Sequence, residues 1–213
     1  DNIVQIISKD KTGKIWITMR DSGFCNYDIT AQKIIRPGLK GGWKFGPVYS
    51  MIVDHSGAVW IGAETIDGLI AFIVNNNKYT RFPVTGHFEH ANQKVLVLYE
   101  DAEKNIWIGT EKGLTQYCRS RFEVFTMKDG LPSDSIRALL GDSKGNFWIS
   151  SPAGLFRFHF DEAGLPDRKM YFADKRSSEF RIVSLFEGRN GHIWVGTYGH
   201  GAYLLSPPGD RFS

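Results

Sequence analysis

The residues best suited to chemistry lie in a few glycine-rich or polar connections rather than in one catalytic signature. Lys40-Gly41-Gly42-Trp43-Lys44-Phe45-Gly46 joins a permissive backbone to two flat apolar rings and flanking ammonium donors. Sugars present apolar C–H faces rimmed by hydroxyls, so Trp43 and Phe45 beside Lys44 suit a carbohydrate; the bland alternative is that Trp43 plugs a loop or fills a channel. Thr85-Gly86-His87-Phe88-Glu89-His90-Ala91-Asn92 sets two imidazoles at metal-ligand spacing. Zinc sites want three or four fixed ligands, so His87 and His90 predict a polar, ligand-facing or solvated loop and no metal. Arg20 and Asp21, Glu64 and Asp67, Glu111 and Lys112, and Tyr198 and His200 each occupy a short connection following a tryptophan. Arg137 and Arg181 stand at the start of apolar runs, where a buried guanidinium demands a partner. The cations of this set also suit an acidic sugar.

Nucleophilic catalysis finds no carrier. There is no Gly-x-Ser-x-Gly, no His-Glu-x-x-His and no cysteine in a recognisable histidine context. Gly196-Thr197-Tyr198-Gly199-His200-Gly201 resembles a glycine-rich loop, but a strand and turn explain it better. Glu64 and Glu111 have the chemistry of an acid/base pair in a lyase or glycosidase. Both stand four residues after a tryptophan, so scaffold repetition is the simpler account. The expectation is a chain with no catalytic residue, no metal and no cofactor.

The elements that must position these groups are set by an internal repeat. Asp10-Lys-Thr-Gly-Lys-Ile-Trp16, Asp54-His-Ser-Gly-Ala-Val-Trp60, Asp101-Ala-Glu-Lys-Asn-Ile-Trp107, Asp142-Ser-Lys-Gly-Asn-Phe-Trp148 and Gly188-Arg-Asn-Gly-His-Ile-Trp194 superimpose, with tryptophan spacings of 44, 47, 41 and 46. An apolar residue preceded by glycine (Phe24, Leu69, Leu114, Leu155, Ala202) follows each tryptophan seven to nine residues later. Each unit reads as four short strands. An apolar strand (Ile3–Ile7, Val48–Val53, Val95–Tyr99, Ile136–Leu140, Ile182–Phe186) precedes the Asp-x-x-Gly turn, whose residues suit a tight hairpin. The second strand carries the tryptophan, the third begins at the Gly-apolar pair, and Arg81-Phe82, Arg121-Phe122, Met170-Tyr171-Phe172 and Arg211-Phe212 mark a fourth. The first strands are apolar nearly throughout, as in strands covered on both faces.

Four-stranded units of about 40–50 residues define a β-propeller. The fold class is therefore all-β: about five four-stranded antiparallel blades, expected to be part of a larger, seven-bladed propeller. The units are 1–44, 45–91, 92–133, 134–178 and 179–213, within a single domain. The five tryptophans are expected to be core. In a propeller the Asp-x-x-Gly turns point to one face. The second-to-third connections and the links between units point to the other, around the channel mouth, where ligands favour a concave centre. That places Arg20, Asp21, Trp43, Lys44, Phe45, Glu64, His87, His90, Glu111, Lys112, Arg137, Arg181, Tyr198 and His200 on one mouth.

Composition narrows the alternatives. The 213 residues are 42% hydrophobic with 23 glycines, 15 phenylalanines and 6 tryptophans, ample for a packed core and incompatible with intrinsic disorder. A net charge of +3 from scattered lysines and arginines lacks the clustered basic face that nucleic acid wants. The longest apolar runs, such as Val95–Tyr99, fall far short of the roughly 20 residues of a membrane helix. Cys25 and Cys118 make neither a disulfide framework nor a metal motif.

Asp101–Tyr117 and Asp142–Phe158 come closest to the pattern Asp-x-x-Gly-x-Ile-Trp-Ile-Gly-Thr…Gly-Leu…Tyr, and Gly130-Leu131-Pro132-Ser133-Asp134-Ser135-Ile136 adds a Gly-Leu-Pro lead into a blade. These residues resemble the two-component regulator propeller repeats of periplasmic sensor domains in the hybrid histidine kinases of Bacteroidetes. The first unit departs most, with Thr18 in place of the strand glycine and Phe24-Cys25 in place of Gly-Leu's aliphatic partner. The resemblance implies a periplasmic or extracytoplasmic sensor that recognises a glycan breakdown product. It also implies signalling through dimer rearrangement and a kinase on downstream domains. Reaching the membrane only through flanking segments, the chain is expected to bind an oligosaccharide and to self-associate as a homodimer or through exposed blade faces. The alternatives are a propeller lyase or hydrolase acting on a polysaccharide or small molecule, and a protein-interaction scaffold.

Overall fold

A computed structural model describes residues 3–19, 23–36, 46–63, 69–75, 78–82, 94–118, 121–160, 166–171, 181–206 and 211–212. It is all-β apart from one short 3-10 turn, Met127–Asp129. Five four-stranded antiparallel sheets follow one another along the chain, each a simple meander. The first holds β1 (Val4–Lys9), β2 (Ile15–Met19), β3 (Gly23–Asp28) and β4 (Lys33–Ile35). The second holds β5 (Val48–Val53), β6 (Val59–Ala63), β7 (Leu69–Asn75) and β8 (Lys78–Phe82). The third holds β9 (Val95–Glu100), β10 (Ile106–Thr110), β11 (Gly113–Cys118) and β12 (Arg121–Phe125). The fourth holds β13 (Ala138–Gly141), β14 (Phe147–Ser151), β15 (Gly154–Phe160) and β16 (Pro166–Met170). The last holds β17 (Ile182–Glu187), β18 (Ile193–Thr197), β19 (Ala202–Ser206) and β20 (Arg211–Phe212). Two compact units emerge: unit 1 is Asp1–Ile108 with Tyr117–Phe122, and unit 2 is Gly109–Gln116 with Glu123–Ser213.

The repeated aspartate has a direct physical role. Asp54 Oδ1 accepts the N–H groups of Ser56 (2.8 Å) and Ala58 (3.0 Å) and the Ser56 hydroxyl (2.6 Å), while Oδ2 accepts the Trp60 indole N–H at 2.7 Å. Asp10 holds Trp16, Asp101 holds Trp107 and Asp142 holds Trp148 in the same way, each at 2.8 Å. One carboxylate thus closes the hairpin and satisfies the polar edge of the largest core side chain. Burial alone would raise the Asp142 carboxyl pKa. The bonds from Trp148, Asn146 and Lys144 outweigh it and hold the group below the ordinary value. The turn also needs a left-handed residue three positions after its first residue, which is an aspartate in four of the five units and Gly188 in the last. Gly13, Gly57, Gly145 and Gly191 supply it with φ of 89°, 86°, 79° and 71°, while Lys104 adopts 71° without that licence.

The tryptophans then pack forward onto the next sheet. Trp16 joins Val48, Met51, Val59 and Ile61 of the second sheet. Trp60 joins Val95, Leu98, Ile106 and Ile108 of the third, with the Tyr117 ring 5.3 Å away. In unit 2, Trp148 joins Ile182, Ile193 and Val195 of the last sheet, with Tyr171 at 5.0 Å. Two polar clasps reinforce this stacking. His55 N–H donates to Glu100 at 2.9 Å in unit 1, and the Ser143 N–H and hydroxyl both donate to Glu187 in unit 2.

Two expectations need correction. The first strands are not uniformly covered on both faces: β1 leaves Val4 and Ile7 exposed, and β17 leaves Val183 and Phe186 exposed. Nor is every framework tryptophan core. Trp16, Trp60 and Trp148 are buried, but Trp194 is 47% exposed. Its sheet is the last in chain order, and Gly188 stands where the other units carry the aspartate. The Gly188 turn nevertheless keeps the same backbone bonds, Gly188 N–H to His192 O at 2.8 Å and Gly191 N–H to Gly188 O at 2.9 Å. A Cβ at Gly188 would lie 3.3 Å from Trp194 Nε1, close enough for a side chain there to reach the indole. Gly188→Asp is therefore expected to stabilise unit 2 by about 1 kcal/mol, read as a higher denaturation midpoint followed by tryptophan fluorescence.

Candidate functional site

Unit 2 contains six of the sequence-predicted site residues: Glu111, Lys112, Arg137, Arg181, Tyr198 and His200. Arg20, Asp21, Trp43, Lys44, Phe45, Glu64, His87 and His90 lie outside the described residues. The six sit at one end of the meanders, in second-to-third connections or at the start of first strands, opposite the Asp-x-x-Gly turns.

Local structure fixes them from the backbone outward. Thr126 caps the 3-10 turn through a reciprocal bond with Asp129, and Gly130 ends it with a φ of 96°. The chain then passes the buried Leu131 to Ile136, fully buried, whose N–H donates to Thr110 O at 2.8 Å. Arg137 N–H donates to Ser150 O at 3.0 Å, which leaves its half-buried side chain beside the β10–β11 turn. In that turn the Thr110 hydroxyl donates to Gly113 O (3.1 Å) and accepts Lys112 N–H (3.0 Å), presenting Glu111 and Lys112 to solvent. The last sheet repeats the device. The Thr197 hydroxyl donates to Gly201 O at 2.7 Å, and Tyr198 N–H donates to Arg181 O at 2.8 Å.

The geometry brings Arg181 and Tyr198 together, and the charges of Arg181 and Glu111 act on Arg137. The Arg181 guanidinium lies over the Tyr198 ring, 5.8 Å from its centroid, and Tyr198 remains 70% exposed. Burial and then the neighbouring charge of Arg181 push the Arg137 pKa below the ordinary arginine value, while Glu111 opposes the shift. Arg137 stays protonated at neutral pH all the same. Among the described residues, no carboxylate forms an ion pair with either guanidinium. His200 joins through Nδ1 to Tyr198 O at 3.3 Å, whereas Lys112 takes part through its backbone alone. Thr110 and Thr197 are positioning residues that sequence reasoning passed over. Their signal was the Gly-Thr after Trp-Ile and Trp-Val, which reads as scaffold because it repeats. Among the described residues no cluster of three or more histidine, cysteine or acidic side chains could hold a metal. Cys25, buried, and Cys118 are free thiols, and burial raises the Cys25 pKa against the opposing charge of Arg36.

Repeated four-stranded meanders, four of the five carrying the Asp–Trp hairpin and stacked through tryptophan where neighbouring sheets share a core, define a β-propeller chain. Three of its segments, residues 90–112, 130–153 and 176–199, match the two-component regulator propeller family. The chain is similar to histidine kinase P4 of Formosa agariphila, 24% identical over 217 residues that cover 95% of this chain and 16% of the kinase. It is also similar to the extracellular domain of a hybrid two-component system of B. thetaiotaomicron. That match has 23% identity and a TM-score of 0.71, and covers 96% of this chain and 27% of the other. Virginiamycin B lyase from Staphylococcus aureus shares the fold at 11% identity and a TM-score of 0.74, covering 99% of this chain and 68% of the lyase. The chain thus spans about a quarter or less of the two-component relatives it matches. No helix among the described residues is long and apolar enough to cross a membrane.

Proposed function

We propose that this chain is a ligand-sensing segment of an extracytoplasmic propeller in a two-component signalling protein, and that it recognises a glycan-derived ligand at the mouth end of its blades. The observation that carries the reading is Tyr198, an exposed aromatic ring beneath the Arg181 guanidinium, with His200 Nδ1 beside its carbonyl. An aromatic face bordered by hydrogen-bonding groups is what a sugar ring needs. The repeats and the two-component relatives support a sensor role, and signalling would follow from differential binding to two states of the larger protein. The reading is non-enzymatic for this segment, with kinase activity residing on other domains.

Calorimetric titration of the chain with a panel of oligosaccharides tests it. Saturable binding without change to the sugar is expected, and Tyr198→Ala should weaken it about tenfold. Release of product from a bound glycan, lost in Glu111→Gln, would replace the sensor with a lyase or hydrolase. No binding by any member of the panel would overturn the glycan reading.

A further inference from the structure

We propose that two copies of this chain associate head to tail, the Trp194 face of the last sheet in one copy docking on the Val4 and Ile7 face of the first sheet in the other. This inference is independent of the glycan reading.

Inside the chain, each buried tryptophan enters the same four-residue seat on a following sheet. Trp16 packs on Val48, Met51, Val59 and Ile61, and Trp60 on Val95, Leu98, Ile106 and Ile108. These residues stand twelve, nine and one positions before the receiving sheet's own tryptophan, and one after it. Trp148 finds Ile182, Leu185, Ile193 and Val195 at those four positions of the last sheet. Counted from Trp16, the same positions in the first sheet are Val4, Ile7, Ile15 and Ile17, all aliphatic. A filled seat is dry: Val48, Met51, Val95 and Leu98 are buried. In the first sheet it stands open, with Val4 50% and Ile7 66% exposed.

The last sheet carries the matching insert. Phe186 and Trp194 are cross-strand partners, and Phe186 is 65% exposed beside the open indole. Ile52 and Leu140 hold the Phe186 position next to Trp60 and Trp148, and both pack into those cores. One chain therefore shows an empty seat on its first sheet and an unseated insert on its last. Burying two large rings against aliphatic side chains drives the contact, and because insert and seat differ, the contact is heterologous. A charged pair tempers it. Glu100 and Glu187 each stand seven residues before their sheet's tryptophan and accept an N–H from the turn of an earlier sheet, at His55 and at Ser143. Between two copies those positions fall to Lys9 and Arg189, both exposed. The second sheet has Val53 there and still seats Trp16, so the clasp is dispensable, but two facing cations weaken the contact and make it reversible.

Sedimentation velocity of the whole 213-residue chain across the micromolar range is the test. The average mass should rise with concentration above that of one chain, and added salt should favour association by screening Lys9 from Arg189. Trp194→Lys and Ile7→Lys change exposed residues and should each give a folded monomer, checked by circular dichroism. An equimolar mixture of the two variants should form a complex of two chains and no larger, because one intact insert and one intact seat remain. Lys9→Glu keeps the test open should either variant misfold. It restores the clasp carboxylate opposite the Arg189 N–H and should tighten association about tenfold, a response that unspecific sticking would not show. A monomer at every concentration would overturn the proposal, since the insert would then be met by another part of the protein or by solvent. Association that survives Ile7→Lys but not Trp194→Lys would mean like-on-like pairing and would overturn the head-to-tail contact. A variant mixture that stays monomeric, or a Lys9→Glu chain that associates no more tightly, would overturn it as well.

Discussion

Asp54→Ala should lower the stability of unit 1 by about 3 kcal/mol, the larger of the effects expected at the turn aspartates. Asp54 is only 8% exposed, and its two oxygens accept four hydrogen bonds. Alanine leaves the Trp60 indole N–H and the Ala58 N–H without their acceptor inside a region where water cannot replace it. Each buried orphan costs roughly 1–3 kcal/mol, while the alanine methyl returns little. The indole adds leverage, because Trp60 is packed on Val95, Leu98, Ile106 and Ile108 and cannot turn toward solvent without opening that core. Asp10→Ala should cost less, about 1–2 kcal/mol, since Asp10 is less buried and water can reach the vacated turn. Chemical denaturation followed by tryptophan fluorescence measures both. A double-mutant cycle with Trp60→Phe, which removes the donor as well, should recover about 1 kcal/mol or more of the Asp54→Ala loss. Equal losses at Asp54 and Asp10, with no coupling to Trp60, would show that the turn bonds and not the indole carry the effect.

That cycle explains why so much of the fold was legible. The Asp-to-Trp interval repeats because one carboxylate must reach an indole across a hairpin, so spacing and chemistry are one constraint. The strands flanking it emerged within two residues of their expected limits for the same reason. The exposed Trp194 shows what the pattern hid. Gly188 announced in the sequence that the acceptor was missing, but burial depends on the next sheet, and that is a property of position in the array. The clasps from Glu100 and Glu187 were invisible for a related cause. Each reaches a turn about one repeat earlier, at His55 and at Ser143, and nothing local distinguishes such a glutamate from a solvated one. Of the candidate site residues, Arg137 and Arg181 stand immediately before β13 and β17, where their place ahead of apolar runs put them. The influence of the Arg181 charge on Arg137 was not legible, because 44 residues separate the two in sequence.

Gly62→Ala should destabilise unit 1 by about 3 kcal/mol, through crowding and not through backbone strain. Gly62 lies in a regular strand, paired with Ser50, where alanine would ordinarily be preferred to glycine. Its retention therefore has to come from space. A Cβ there would meet the Ser50 hydroxyl, and would stand 2.6 Å from Val95 Cγ1 and 2.8 Å from the Val95 carbonyl oxygen of the third sheet. The hydroxyl can rotate away, although it gives up its 3.3 Å bond to the same Val95 oxygen. The carbonyl belongs to a strand fixed by its ladder, so the two sheets must separate. Gly196 holds the corresponding place in the last sheet, paired with Ser184, and the three atoms nearest to a Cβ there all belong to Ser184. Ser184 is exposed, so Gly196→Ala should cost about 1 kcal/mol or less and should be relieved by Ser184→Ala. Ser50→Ala should rescue Gly62→Ala by less than half, because Val95 remains. The fourth sheet supplies the natural control: there the pair is Ala138 and Ser150, and the Ser150 hydroxyl reaches the Ile182 carbonyl of the following sheet at 3.5 Å. A hydroxyl from either strand can serve the neighbouring sheet, but the volume on the second strand is set by how closely that sheet approaches. Equal destabilisation at Gly62 and Gly196 in denaturant titrations would refute this, and would mean that the glycine is required by the strand itself.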